Sequence, residues 1–224
     1  MASAKSIARE SSLRHVHVRL IVRSYDDSVS DAAALVAVIA SYGVGQFPTA
    51  QLVGRSLGVD PTRAGSGNPG ASNVTRVAGW RAGLVVLLGD LAKGLAPTLL
   101  ALVILGRGAA LGCWLAATLG HVFPLARRFR GGKGVATAGG GALVLLPVVS
   151  VVLIALFVII VAIRRTPSLG SLTMATGLPI GAALAGRPGR EIVVAALVGG
   201  LVVVRHAENI RRLVRREEQP VTGR

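Results

Sequence analysis

The sequence predicts an all-α integral membrane protein of seven transmembrane helices, some of them short. Its N-terminus is expected outside, its C-terminus in the cytoplasm and its active site at the cytoplasmic face. Three observations carry this. The 224 residues are 52% hydrophobic, with a mean hydropathy of +0.63. Only 16% are charged, where soluble domains run near a quarter. The charge is also unbalanced, 25 Lys and Arg against 10 Asp and Glu, giving +15. Disorder requires low hydrophobicity, and a nucleic-acid partner would account for the charge but not for the long uncharged runs. A membrane protein with basic loops accounts for both. Cys113 stands alone, which excludes an intramolecular disulfide and a cysteine-based zinc site.

Residues 32–54, the first candidate span, carry no charge, enough for one crossing at about 20 residues. Run 82–106 is apolar apart from Asp90 and Lys93, which lie three apart and so pair on one helical face, as a structural support or as a functional intramembrane ion pair. Run 108–126 is uncharged. Thirty uncharged residues at 134–163 are too many for one helix and few for two, and Pro147 near their middle permits a tight hairpin. Runs 166–186 and 192–204 complete the set, the last short for a perpendicular span.

Charge placement decides between six and seven spans. If 134–163 crosses twice, sixteen basic residues fall inside and three (Arg107, Arg187, Arg190) outside; if once, ten fall inside and nine outside. Seven spans therefore divide the chain into a charged, poorly ordered tail 1–30, a membrane domain 31–215 and a cytoplasmic tail 216–224. The tail 1–30 disagrees with the rule, since Lys5, Arg9, Arg14, Arg19 and Arg23 lie on the external side. It has no apolar core and is not a secretory leader. It is either a short translocated tail or sequence upstream of a later start, with Val22 and Val29 as alternative starts.

This orientation gathers the polar segments 65–76, 120–141, 164–173 and 205–213 at the cytoplasmic face. In 65–73 glycines alternate with Ser66, Asn68, Ser72 and Asn73, exposing amides, and Arg76 follows. Gly131-Gly132-Lys133-Gly134 leads directly into an apolar helix. Unpaired amides, a helix N-terminus and a cation are the recipe for holding phosphate. The match to a nucleotide P-loop fails, because Gly134 follows Lys133. His206, Glu208 and Asn209 complete the set. Arg127, Arg128, Arg130, Arg211, Arg212, Arg215 and Arg216 read most simply as topology signals and contacts to anionic membrane lipids. His121 reads as a packing residue, and single glycines more often serve close helix packing than ligand binding.

The blocks GSGNPGASNVTR, GHVFPLARRFRGGKGVATA and RHAENIRRL, in this order and spacing, resemble the three signature blocks of the bacterial acyl-phosphate:glycerol-3-phosphate acyltransferases, the PlsY family. GQFPTAQLVG and LLGDLAKG also resemble that family, and the likeness covers about residues 35–215. Ser72, Gln46 and the Arg216-Glu217-Glu218 ending depart from its commoner pattern. The resemblance implies acyl transfer from acyl phosphate to the 1-hydroxyl of glycerol 3-phosphate, giving lysophosphatidic acid and phosphate, an early step of phospholipid synthesis at the bacterial cytoplasmic (inner) membrane. A monomer, without cofactor or metal and with no nucleic acid partner, is expected. It implies Ser66, Arg76, Lys133, Ser171, His206 and Asn209 as ligands of the polar substrate parts, with Arg76, Lys133 and His206 catalytic. Asn68, Asn73 and the amides of Gly131, Gly132 and Gly134 would add to the phosphate and oxyanion contacts. The general base is His206 or a substrate phosphate oxygen; Cys113, mid-span, is a poor nucleophile. The rivals are a transporter of an organic phosphate, against which stand the missing internal repeat and the one-sided basic groups, and an anionic-lipid scaffold, which leaves GSGN and GGKG unexplained.

Overall fold

The computed structural model describes residues 31–218. The expectations for 1–30, with the alternative starts Val22 and Val29, and for 219–224 lie outside the described residues. The described residues divide into two units between Val36 and Ala37. Of the first, residues 31–36 are helical; the helix packing and the polar cavity belong to the second.

All the regular secondary structure among the described residues is helical, with no strand among them: α1 (31–45), α2 (Thr49–Ser56), α3 (Ala71–Ala78), α4 (Trp80–Ile104), α5 (Arg107–Val122), α6 (Val135–Leu145), α7 (Pro147–Arg164), α8 (Pro167–Leu184), α9 (Gly189–Arg205) and α10 (Ala207–Val214). Among the described residues, four stretches are long and apolar enough to cross a membrane: Asp31–Ser56, Trp80–Ile104, Arg107–Arg127 and Pro147–Arg164. The first is not the single helix expected over 32–54. Pro48 lacks an N–H and disfavours helical Phe47, so the chain breaks at 46–48 and restarts as α2. The uncharged run 134–163 does divide at Pro147, which takes the first position of α7 after Leu146 leaves helical geometry.

Glycine sets how closely the helices approach. A Cβ on Gly45 of α1 would collide with the Ala117 carbonyl of α5, and one on Gly120 of α5 with the Tyr42 carbonyl of α1. The same reciprocity joins Gly94 of α4 to Thr137 and Gly140 of α6 to Leu91. Trp114, fully buried, donates its indole N–H to the Ala138 carbonyl (2.8 Å) and rests on Gly141. Small residues of this kind are what bring helix backbones together in lipid. Helices α7, α8 and α9 pack in sequence beside this group. Within α7 only Ser150 and Leu153 are buried, while Val148 (77% exposed) and Ile163 (73%) remain open at either end. That is a lipid-facing helix.

Two ends are distinguished by their charges. At one, Glu191 (1% exposed) at the start of α9 accepts from Arg107 of α5 (2.5 and 2.9 Å) and from Arg187 (2.8 Å). Arg107 also donates to the Leu145 carbonyl, where α6 ends (2.6 Å). Between the ends, Asp90 and Lys93 are buried and paired at 2.5 Å, as their spacing predicts, with His121 Nδ1 3.8 Å from the same carboxylate oxygen. At the other end α2, α5, α6 and α9 present the polar segments.

Candidate active site

Three stretches of chain enclose an open polar cavity of about 1140 Å³ at that second end. The end of α2 supplies Arg55 to its wall, and the loop between α2 and α3 supplies Arg63, Ser66 and Asn68. Asp60 starts this loop by accepting from the Thr62 amide (2.9 Å) and hydroxyl (2.7 Å), and Gly65 and Gly67 take positive φ. Asn73, 2% exposed, holds the loop from inside. Its Oδ1 accepts the Ser66 N–H (2.8 Å), and its Nδ2 donates to the Pro61 and Ala64 carbonyls (2.9 and 3.0 Å).

The second stretch joins α5 to α6 and supplies Arg127, Arg130, Gly131 and Lys133. Arg128 and Phe129 both adopt left-handed backbone (φ 51° and 62°), and Phe129 N–H returns to the Pro124 carbonyl (2.9 Å). Gly131 and Gly132 then lie against the end of α5. A Cβ on the first would strike the His121 and Val122 carbonyls, and on the second the His121 ring. Gly134, at φ 83°, caps α6, whose first intrahelical bond is Ala138 N–H to Gly134 O (2.8 Å). The amides of residues 135–137 therefore precede any helical acceptor and give this end a partial positive charge.

The third stretch, where α9 turns into α10, supplies Arg205, Glu208 and Arg212. Lys133 Nζ donates to Asn209 Oδ1; Asn209 Nδ2 donates to Glu218 Oε1 (2.6 Å), and Arg212 Nε to Glu218 Oε2 (2.7 Å). Burial holds the Lys133 ammonium down to about 8, still mostly charged at neutral pH. Burial likewise pushes His206 down to about 4. Its Nδ1 lies 2.8 Å from the Val202 carbonyl. A carbonyl only accepts, so the proton sits on Nδ1 and Nε2 keeps its lone pair.

The expected site residues thus divide. Ser66, Asn68, Gly131 and Lys133 share the cavity wall; Asn209 (5% exposed), which is bonded to Lys133, and His206 (2%) are buried and do not line it. Asn73 does not face a ligand: its amide oxygen and both its amide hydrogens are used within the loop it shapes. Gly132 corrects the expectation that its amide is open, since that N–H donates to the His121 carbonyl (3.2 Å). Gly134 acts through its left-handed cap. Arg76 is half-buried in the last turn of α3, outside the cavity wall. Ser171 is buried (7% exposed) in a separate apolar cavity between α6, α7, α8 and α9. One turn earlier Ser168, also buried, lies beside the Glu218 carboxylate.

Three arginines change their reading, because Arg127, Arg130 and Arg212 line the cavity whereas Arg128, Arg211, Arg215 and Arg216 do not. Glu218, placed by the sequence in a tail, is tied into the site. No signal in composition marks it; the periodicity of α10 ends before it. Cys113 is fully buried in the apolar core.

Fold and site together define a class: a multi-pass membrane protein with a basic, glycine-walled cavity at one end of its helices. The model of the glycerol-3-phosphate acyltransferase family matches residues 35–216. A glycerol-3-phosphate acyltransferase of Rubrobacter xylanophilus is 39% identical over 85% of this chain and 96% of its own length. One of Geobacter sulfurreducens is 44% identical over 80% and 93%. Among solved structures, PlsY (YgiH), an integral membrane glycerol 3-phosphate acyltransferase in its glycerol 3-phosphate form, superposes with a TM-score of 0.81 at 35% identity, covering 85% of this chain and 96% of that one. Its lysophosphatidic acid form gives 0.79. The chain belongs to the glycerol-3-phosphate acyltransferase family.

Proposed function

We propose that this protein transfers a fatty acyl group from acyl phosphate to the 1-hydroxyl of glycerol 3-phosphate, releasing lysophosphatidic acid and inorganic phosphate. The observation that carries it is the cavity wall, where Lys133, flanked by glycines at the head of α6, faces the loop of Ser66 and Asn68 across a basic space. Both substrates are phosphate esters or anhydrides, so two anions must be held together.

The hydroxyl oxygen attacks the acyl carbonyl carbon, the carbon–oxygen bond to phosphate breaks, and phosphate leaves with the electron pair. Acyl phosphate is a mixed anhydride with a good leaving group, so positioning and charge neutralisation supply most of the acceleration. Lys133 neutralises phosphate from the cavity wall; Arg76, off that wall at the end of α3, is assigned the same task by the family's sequence pattern; Ser66, Asn68 and Asn209 orient the phosphates, and the amides at the head of α6 receive negative charge. His206, neutral with its lone pair on Nε2, is the side chain that would accept a hydrogen bond from the attacking hydroxyl. Burial, which holds it down to about 4, makes it a weak base. A bound phosphate oxygen is therefore the stronger candidate for the final proton.

We further propose seven crossings with the cavity cytoplasmic, in the bacterial cytoplasmic membrane, the enzyme acting as a monomer among membrane lipids. The meeting of Arg107 and Arg187 on Glu191 supports this, because both belong to the loops assigned outside. The catalytic domain then runs from residue 31 to 218, a boundary moved outward from 215 by Glu218. The test is purified protein with palmitoyl phosphate and glycerol 3-phosphate. Phosphate release dependent on glycerol 3-phosphate, with lysophosphatidic acid formed, is expected; no release from palmitoyl phosphate would overturn the reading.

A further inference from the structure

Lys133 stands after two glycines that have no side chains with which to anchor themselves. Glycine loses more conformational freedom on ordering than any other residue. Side chains are sterically excluded at both positions, as the collisions with the end of α5 require. Something else must hold the backbone that carries the ammonium. The last residue of α9 does so. Arg205 NH2 donates to the Gly131 carbonyl (3.1 Å) and Arg205 Nε lies 3.4 Å from the Gly132 carbonyl. The same guanidinium lies over the Phe123 ring, 5.9 Å from its centroid. The peptide between Gly131 and Gly132 is thereby held at both ends, its carbonyl by Arg205 and its N–H by the His121 carbonyl (3.2 Å). Because the peptide is planar and trans, two such anchors fix its orientation, and the second arginine bond fixes the next peptide, which leads into Lys133. The ammonium itself is met by Asn209, four residues beyond Arg205.

We propose that Arg205 is the positioning residue for Lys133, bracing the two glycine peptides so that the ammonium stays in register with Asn209 and with the phosphate it neutralises. The proposal rests on the reading of Lys133 as a phosphate clamp. Bonds from a charged donor to carbonyls suit the task, since the charge strengthens them relative to neutral ones. Arginine is required over lysine because only its fork reaches two carbonyls at once.

The test compares the full-length wild-type protein with Arg205→Met and Arg205→Lys in lipid nanodiscs, using palmitoyl phosphate and glycerol 3-phosphate. Arg205→Met is expected to lose roughly 10²-fold in kcat/KM, the effect of a misplacement of about 1 Å, and Arg205→Lys to recover part of it. The alkaline limb of kcat/KM, set by Lys133 near 8, is expected to move upward in Arg205→Met and to stay in Arg205→Lys. Of the groups that act on Lys133, Glu218 and Glu208 raise its pKa while Arg212 and Arg205 lower it. A merely destabilised protein would lose activity with the limb unmoved. Amide exchange of residues 131–134, read by mass spectrometry, supplies a readout independent of turnover: faster exchange confined to this loop in Arg205→Met is expected. Wild-type kinetics, an unmoved limb and unchanged exchange in Arg205→Met would overturn the proposal. Failure of the wild type itself to turn over would instead count against the proposed function, leaving the exchange comparison to decide on Arg205.

Discussion

The Lys133 ammonium donates to the amide oxygen of Asn209, 76 residues further along the chain. Asn209 passes its own N–H to Glu218, and Glu218 is held by Arg212. A cation at the head of α6 is thus positioned by a carboxylate it does not touch.

Lys133→Ala and Arg76→Ala are expected to lower kcat/KM by about 10³-fold or more, the scale of removing a transition-state charge partner. Both proteins should still elute as folded species in detergent. Near-native turnover in either would remove it from the clamp.

Glu218→Gln keeps the shape of the side chain but removes the charge facing Asn209 and Arg212. The Asn209 amide loses a charge-assisted partner, so it holds Lys133 less firmly. KM for glycerol 3-phosphate is expected to rise about tenfold with kcat changed less; initial rates over a range of glycerol 3-phosphate concentrations check this. Unaltered KM would separate Glu218 from the site.

The pH profile is governed by Lys133, whose burial lowers it to about 8. It is charged below that value and neutral above, so kcat/KM should fall as pH rises through about 8, tenfold per unit. His206, near 4, should leave no inflection between pH 6 and 8. A profile flat to pH 10 would show that the Lys133 charge is dispensable.

Gly94→Ala places a methyl group against the Thr137 backbone, which has no flexible end to yield. Separating α4 from α6 is expected to cost about 1–3 kcal/mol, visible as a lower Tm in detergent. The neighbouring Gly108→Ala, with open space around it, serves as the comparison and should leave Tm within a degree or two.

Much of the fold and of the site was legible in the sequence, and the reasons are physical. Apolar length announces a membrane protein, and Pro147 announces where the long run divides. Glycines around a lone lysine mark a candidate anion site, and Ser66, Asn68, Gly131 and Lys133 do share one cavity. What the residues did not disclose depends on rotation about helix axes. Arg127 lines the cavity and Arg128 does not, though composition treats them alike. Ser168 reaches the Glu218 side of α8 while Ser171 faces the apolar cavity. Asn73 reads as a ligand by type, yet its hydrogen bonds are spent on its own loop. The break at Pro48 was hidden by the uncharged run around it, which signals burial in lipid but not continuity.

Besides the buried Ser150 and Leu153, α7 sets Phe157 and Val149 against Gly170 and Gly181 of α8, and it leaves most of its remaining surface exposed. Its side chains are constrained by apolarity far more than by shape, so most of its surface should accept exchange among Val, Ile and Leu without a cost to the cavity. Hydrophobic mismatch is met by tilting, stretching or locally deforming the bilayer, at fractions of a kcal/mol per Å. No residue of α7 lines the polar cavity, so adjustment of this helix to membranes of different thickness is expected to leave the register of Lys133 and Asn209 undisturbed.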